Sequence, residues 1–344
     1  MGLNNTGQGG GTPDADIDAH EAWAAFDSGL ASVIVGVIDT GVDYTHEDLA
    51  ANMWVNPGET PGNGLDDDGD GYIDDVHGIN VITGSGDPID YGHGTHVAGT
   101  IGAVGNNGIG VAGVNWDVSL VACKFLAADG YGTTAGAIEC CLYIKGLQAA
   151  GNNIRLTNNS WGGGGKSSLL KNAMSGEILH VAAAGNGDIL GNPIDNDDYA
   201  FYPSSYVLNN IISVAATDRN DDYASWSNYG VTSVDLAASG AAALIWAVDS
   251  SLSALAVKEM LLSGVDSLDV SNKTETDGRL NVFDSLDTIP PAAISGLEIS
   301  GEGRSSLTRS WIATGNDGTI GTASSYDVRY STSAITAGNW GSAS

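Results

Sequence analysis

Apolar residues along the chain fall into two kinds of stretch, short continuous runs and longer segments with helical spacing. The short runs are rich in Val, Ile and Ala and cover residues 31–39, 118–126, 176–185 and 210–217. Runs of this length and composition are typical of strands buried on both faces. Between them lie the helical patterns HGTHVAGTIGAV, TAGAIECCLYIKGLQAAG and SSLLKNAMSG. This alternation predicts an α/β fold with a doubly wound parallel β-sheet and helices on both faces.

The pattern changes near residue 288. The pair Pro290–Pro291 indicates a linker, and the residues beyond it alternate with a period of two, as in SLTRSWIAT and SYDVRYSTS. We therefore predict one domain over residues 1–287 and a second, β-rich segment over residues 288–344. The second segment resembles the first half of a fibronectin type III domain, so we expect an incomplete β-sandwich. A tail without a role of its own is at least as good an interpretation of it as a binding module.

The chain is strongly acidic, with 12 Lys and Arg against 42 Asp and Glu and a formal net charge of −30. Such a charge repels nucleic acids and anionic membranes, so neither is expected as a partner. It fits a secreted protein, or one whose clustered carboxylates hold cations. The 3 cysteines are too few for a disulfide scaffold, and we expect buried apolar filler for all of them. No run is long enough to span a membrane.

The N-terminal residues lack the basic and apolar regions of a signal peptide. They resemble the opening of a mature domain, so we expect a signal and a propeptide to lie outside this chain.

Two short motifs carry the candidate chemistry. In GVIDTGVD, Asp39 ends a predicted buried strand, and in DYGHGTHVAGTIGA, His93 begins a predicted helix. An aspartate can fix the tautomer of a histidine, which then acts as general base toward a hydroxyl nucleophile. Taken singly, the histidine could be a helix cap and the aspartate a turn residue. Their occurrence together favours a catalytic pair.

With these two motifs, the chain resembles a subtilisin-like serine endopeptidase, and the resemblance covers most of residues 5–287. The resemblance implies that Asp39 orients the catalytic base His93 and that Asn186, in VAAAGNG, belongs to an oxyanion hole. It also implies that LAADGYGTT and NNSWGGG bind an extended substrate. The substrate-binding residues would be Gly130, Tyr131, Gly132, Ser160, Trp161 and Gly162. Pro203 occupies a place where the family tends to have a cis-proline.

Calcium is the expected cofactor. The segment NGLDDDGDGYIDDVHG places Asp66, Asp68, Asp70 and Asp74 around glycine turns, where carboxylates can converge on one hard cation. A solvated acidic loop is the alternative. The family resemblance implies a second calcium site, formed by Asp48, Asn107 and the carbonyl groups of Ile109 and Val111, with Gln8 as a further candidate ligand.

The nucleophile is missing from this pattern. The family carries its serine in a motif of the form G-T-S-M-A-T-P-H-V-A-G, which does not occur here. The flanking sequences VDLAASG and AAALIWAVD adjoin directly between Gly240 and Ala241. Ser225, Ser227 and Ser239 are the candidate surrogates, of which Ser239 lies beside the junction, and none begins a helix in a suitable turn.

The sequence thus predicts a subtilisin-family endopeptidase that is inactive in this chain. The alternatives are a calcium-binding or peptide-binding domain without catalysis, and a gene fragment of an active secreted protease. Polypeptides are the expected substrates, and a monomeric, extracellular protein is expected.

Overall fold

The computed structural model describes residues 2–25, 33–237, 251–268, 273–287, 295–300 and 308–312. The junction between Gly240 and Ala241, together with Ser239, lies outside these described residues. The chain divides into two compact units, Met1–Thr288 and Ile289–Ser344.

The first unit is built on a sheet of nine strands in the order β2-β3-β1-β4-β5-β6-β7-β9-β8. All neighbouring strands run parallel except β8 and β9, which are antiparallel. The strands are β1 (Ile34–Asp39), β2 (Gly78–Asn80), β3 (Ser119–Lys124), β4 (Ile154–Asn159), β5 (Leu179–Ala183), β6 (Ile211–Ala215), β7 (Leu236–Ala237), β8 (Val265–Ser267) and β9 (Gly278–Leu280). The predicted α/β class with a mainly parallel sheet is confirmed.

Six α-helices accompany the sheet in the described part of the first unit. They are α1 (Ala19–Ala25), α2 (His93–Gly102), α3 (Thr134–Ala149), α4 (Ser168–Met174), α5 (Ala254–Ser263) and α6 (Val282–Asp287). Side chains cap three of them: the hydroxyl groups of Thr133, Ser167 and Ser253 accept hydrogen bonds from backbone N–H groups in the first turns of α3, α4 and α5. None of the described helices is long and apolar enough to cross a membrane.

The core lies between the central strands and their helices. All six residues of β1 are buried, as expected for a central strand covered on both faces. One large cluster joins β1, β3 and β4 to α3 and α4, and Ile38, Ile79, Ile144, Ile154 and Met174 are among its fully buried side chains.

A disulfide bond joins Cys123 of β3 to Cys140 of α3. The expectation that all three cysteines are apolar filler is therefore wrong for this pair, which lies 17 residues apart in the sequence. Only Cys141 is a free, buried thiol. The sequence places Cys140 in a helix but does not reveal which strand passes it.

The described residues of the second unit form an antiparallel pair of strands, β10 (Ser295–Ser300) and β11 (Thr308–Ile312). The fibronectin-like character of residues 288–344 stays a prediction.

Candidate active site

Asp39 and His93 meet where β1 ends and α2 begins. Nδ1 of His93 lies 2.8 Å from Oδ1 of Asp39. Because a carboxylate can only accept, Nδ1 carries the hydrogen and Nε2 is the basic nitrogen of the neutral ring. Asp39 is completely buried, whereas 57% of the His93 side chain is exposed. This is the arrangement required of an orienting carboxylate and an accessible base.

The backbone around this pair is held by close contacts. The N–H of Thr40 donates to Oδ1 of Asp39 at 2.7 Å, and the N–H of Gly94 donates to Oγ1 of Thr40 at 3.0 Å. Gly41 has a φ of +104°, a conformation that favours glycine. These contacts bring the first turn of α2 directly against the end of β1.

Asn186 lies beyond the end of β5, on the rim of a cavity of about 1080 Å³. Tyr91 and Gly92, which precede His93, also line this cavity, and it extends along α2 past Gly99 and Ala103. The Asn186 side chain is exposed. The cavity therefore connects the rim that bears the candidate oxyanion residue with the start of the histidine helix.

The sequence analysis missed Asn228, which supports the Asn186 loop. Its side chain is buried; Oδ1 accepts the N–H of Gly187 at 2.9 Å, and Nδ2 donates to the carbonyl of Ala184 at 3.1 Å. Only the polar pattern of WSNYG hints at this role, because the contact spans more than 40 residues of sequence.

The two predicted substrate-binding segments follow strands β3 and β4. In the first, the N–H of Ala127 donates to the carbonyl of Tyr131 at 2.8 Å, and 79% of Tyr131 is exposed. In the second, Ser160 follows β4 and the Trp161 ring packs edge-on against Phe125, with the ring centroids 4.8 Å apart. Phe125 belongs to the chain leading into the first segment, so this ring contact links the two. The Tyr202–Pro203 peptide bond nearby is cis, as the resemblance implied.

Neither described surrogate serine is placed as a nucleophile. Ser227 is buried, and its hydroxyl accepts the N–H of Ala216 at 3.0 Å and donates to the carbonyl of Asn228 at 3.2 Å. Ser225 is exposed and belongs to a turn, without a helix behind it.

The aspartate-rich loop brings together two overlapping sets of carboxylates. One consists of Glu59, Asp66 and Asp68, and the other of Asp68, Asp70 and Asp75, with ligand oxygens within 4.8 Å of one another in each set. Glu59 and Asp75 were not predicted. Asp74 lies outside both sets, and its carboxylate instead accepts the N–H groups of Asn63 and Gly64.

Asp75 is the deepest carboxylate of this loop. Burial, together with the negative charges of Asp70 and Asp68, raises the pKa of Asp75 to about 7, although hydrogen bonds from Tyr143 and Asn56 oppose the shift. Burial likewise raises the pKa of Asp70, with repulsion from Asp68 adding to it. A cation would relieve this repulsion, and an all-oxygen donor set suits calcium. The residues present therefore fit a hard divalent cation.

The second predicted metal site has different contacts. Asp48 is buried, and its carboxylate accepts hydrogen bonds from Nδ2 of Asn107 at 2.7 Å and from the N–H of Val111 at 2.9 Å. The N–H of Ile109 donates to Oδ1 of Asn107. Gln8 bonds instead to Thr6 and Asn4. The structure thus brings Asp48 together with the loop that contains Asn107 and Val111. However, N–H groups of this loop, rather than its carbonyl oxygens, face the Asp48 carboxylate.

Comparison with known proteins gives one consistent result. The model of the subtilase family (Peptidase_S8) matches residues 31–276. Subtilisin BL of Lederbergia lenta is 36% identical over 231 residues, covering 65% of this chain and 70% of that protein. Subtilisin-like protease 1 of Plasmodium vivax is 40% identical over 195 residues, covering 54% of this chain and 31% of that protein.

An extracellular protease of Xanthomonas campestris pv. campestris is 34% identical over 258 residues, covering 68% of this chain and 41% of that protein. The chain thus spans less than a third of the Plasmodium vivax relative and under half of the Xanthomonas one.

Proposed function

The chain belongs to the subtilase family of serine proteases, and from this premise we propose that it binds extended polypeptides at a site carrying the acid–base half of the protease machinery. The observation that carries the proposal is the 2.8 Å contact between His93 and the buried Asp39, beside a cavity whose rim also bears Asn186. In this site Asp39 orients His93 in the position from which a family member that has its serine uses the histidine as general base and then as general acid.

Asn186 is the proposed oxyanion donor. Its amide N–H groups suit this role because negative charge develops on the substrate carbonyl oxygen only in the transition state. Loss of one such donor raises the barrier by about 2.7–4 kcal/mol, a figure that comes from subtilisin itself. The substrate would lie between the 130–132 and 160–162 segments as an added strand, held by backbone hydrogen bonds.

We further propose that this chain does not hydrolyse peptides, because its sequence lacks the serine motif. Neither Ser225 nor Ser227 has the geometry of a nucleophile, and Ser239 lies outside the described residues. Without a nucleophile, only about 10³–10⁴ of rate enhancement over uncatalysed hydrolysis remains, from binding and oxyanion stabilisation.

Calcium is the proposed cofactor of the aspartate-rich loop, where it would neutralise Glu59, Asp66, Asp68, Asp70 and Asp75. Bound there, the ion supplies charge neutralisation and cross-linking of the loop, without a part in catalysis. The extracellular relative from Xanthomonas supports secretion of the protein, and we keep a monomer as the proposed state.

A fluorophosphonate probe tests the proposal on the purified full chain, together with calorimetric titration of an extended peptide. The expected result is peptide binding without covalent labelling. Stoichiometric labelling of a serine would contradict the proposed inactivity and favour an active protease.

Sequencing the source DNA across codons 235–247 decides whether the junction between Gly240 and Ala241 is natural. If the DNA encodes an intact serine motif there, the short form of the chain is an artefact.

A further inference from the structure

Three asparagines of the chain are followed directly by glycine, in the pairs Asn63–Gly64, Asn107–Gly108 and Asn186–Gly187. Because glycine has no side chain to obstruct the approach, its backbone nitrogen can attack the side-chain amide of the asparagine before it. The attack requires the nitrogen to give up its hydrogen, and a hydrogen bond from the same N–H to a fixed acceptor opposes this. The partners of the three glycine N–H groups therefore decide which asparagine reacts.

Two of the three glycine N–H groups are held by side chains from other segments. The N–H of Gly64 donates to Oδ2 of Asp74 at 3.0 Å. The N–H of Gly187 donates to Oδ1 of the buried Asn228 at 2.9 Å. Each hydrogen bond must break before the nitrogen can attack, and the bond to Asp74 is the stronger of the two because its acceptor is charged.

The pair Asn107–Gly108 lacks this protection. Among the described residues, none accepts a hydrogen bond from the N–H of Gly108. Both residues of the pair are exposed, and a Cβ atom built on Gly108 would meet nothing within 4 Å. Oδ1 of Asn107 accepts the N–H of Ile109 at 2.9 Å, which draws electrons from the amide carbon and makes it a better target. The Gly108 nitrogen is therefore free to attack, with water around it.

We propose that Asn107 is a deamidation site of this protein and reacts ahead of Asn63 and Asn186. The Gly108 nitrogen loses its hydrogen as a proton and forms a bond to Cγ of Asn107. The bond from Cγ to Nδ2 breaks, and the leaving nitrogen takes up protons and departs as ammonia. Water then opens the cyclic imide at one of its two carbonyl groups, which gives aspartate or isoaspartate without any oxidation or reduction.

The modification changes the surroundings of a buried carboxylate. Asp48 is 2% exposed, and Nδ2 of Asn107 donates to its Oδ1 at 2.7 Å. Deamidation removes this donor and puts a second carboxylate in its place, so repulsion replaces a charge-assisted hydrogen bond. Only the N–H of Val111 then still ties the loop to the Asp48 side chain, among the described contacts. Deamidation thus weakens the attachment of this loop to Asp48.

The test is an ageing experiment on the full chain in mildly alkaline buffer. A chelator is present, so that no cation neutralises the new carboxylate. Samples are digested with pepsin in acid, and tandem mass spectrometry measures the deamidated fraction at each asparagine. Asn107 should react about 10- to 100-fold faster than Asn63 and about 2- to 10-fold faster than Asn186, the factors that correspond to one charged and one neutral hydrogen bond.

Two variants test the cause of this order. Asp74→Gly releases the N–H of Gly64, and glycine readily adopts the φ of +53° found at Asp74. In this variant Asn63 should deamidate about 10-fold faster, while the rate at Asn107 stays unchanged. Asn107→Gln is the control for the consequence, because glutamine would have to close a larger ring. On ageing, the urea midpoint of the unsubstituted chain should fall toward that of Asn107→Asp, whereas the midpoint of Asn107→Gln should stay constant.

Deamidation at Asn63 or Asn186 that is as fast as at Asn107 would overturn the proposal. An unchanged rate at Asn63 in Asp74→Gly would show that the hydrogen bonds of the glycine N–H groups do not set the order. A urea midpoint that stays constant while Asn107 is converted would overturn the effect on the Asp48 loop.

Discussion

Gly94, the second residue of α2, lies so close to Gly41 that a Cβ atom on Gly94 would stand 2.1 Å from the Gly41 carbonyl oxygen. The same Cβ would lie 3.1 Å from Cβ of Asp39. The contact between His93 and Asp39 thus depends on an approach of two backbones that no side chain separates. The glycine after the histidine is explained by this packing.

Replacement of Gly94 by alanine should force α2 away from the end of β1. We expect Gly94→Ala to lower the free energy of unfolding by about 1–3 kcal/mol, the usual effect of overpacking, despite the better helix propensity of alanine. Urea unfolding measures the change. Gly99→Ala is the matched control, because a Cβ on Gly99 would meet its nearest atom only at 4.0 Å.

Alanine at position 99 should therefore be neutral or stabilising by up to about 1 kcal/mol. Equal loss of stability in the two variants would show that helix α2 does not pack on Gly41 in this way.

Calcium should stabilise the protein through the aspartate-rich loop. At a calcium concentration 100 times its dissociation constant, the gain is about 2.7 kcal/mol, and a chelator should remove it. Asp68→Asn should abolish most of this gain because Asp68 belongs to both carboxylate sets. Thermal unfolding with calcium and with chelator provides the measurement.

Glu177→Gln is the control for charge removal, since Glu177 is an exposed residue in the turn before β5. It should leave the response to calcium unchanged. If calcium stabilised Asp68→Asn as much as the unsubstituted chain, the cation would have to bind at another site, such as the loop around Asp48.

Most of the fold follows from local pattern, whereas parts of the site depend on contacts between distant residues. The buried runs ending at Asp39 and near Lys124 are strands, because continuous apolar runs of this length suit the centre of a parallel sheet. The burial of Asp75 was not predictable, since it depends on Tyr143 of α3 closing over the loop. The role of Asn228 gave little signal either, because its side chain supports a loop that lies 41 positions earlier in the sequence.

The disulfide between Cys123 and Cys140 should contribute measurably to stability. It closes a loop of 17 residues, for which chain entropy predicts about 3 kcal/mol. The double variant Cys123→Ala, Cys140→Ala should lose about 2–4 kcal/mol and become insensitive to dithiothreitol in urea unfolding. Cys141→Ala removes the free thiol beside the bond and serves as control. A reductant that fails to destabilise the unsubstituted protein would contradict the pairing.

His180 is a fully buried base at the start of β5. Its Nε2 lies 2.8 Å from the carbonyl oxygen of Met174, and its Nδ1 lies 2.6 Å from Oγ1 of Thr157. Because the carbonyl can only accept, Nε2 carries the hydrogen and Nδ1 accepts from the threonine. The ring is therefore neutral in the folded protein, and burial lowers the pKa of His180 to about 4.

Protonation of His180 should weaken the fold in acid. The pKa falls from 6.5 in the unfolded chain to about 4 in the folded one, so the unfolded state binds the proton first as the pH drops. The neutral His180 ring therefore contributes about 3 kcal/mol to the free energy of unfolding. This contribution is complete above pH 6.5 and is lost progressively as the pH falls to about 4. In urea unfolding between about pH 7 and pH 4.5, His180→Gln should show a shallower loss of stability than the unsubstituted chain, because glutamine can donate to Met174 and accept from Thr157 without titrating. His20→Gln, which replaces an exposed histidine, is the control and should keep the full pH dependence. If the free energy of unfolding fell equally steeply with pH in all three proteins, His180 would not be buried as a neutral ring.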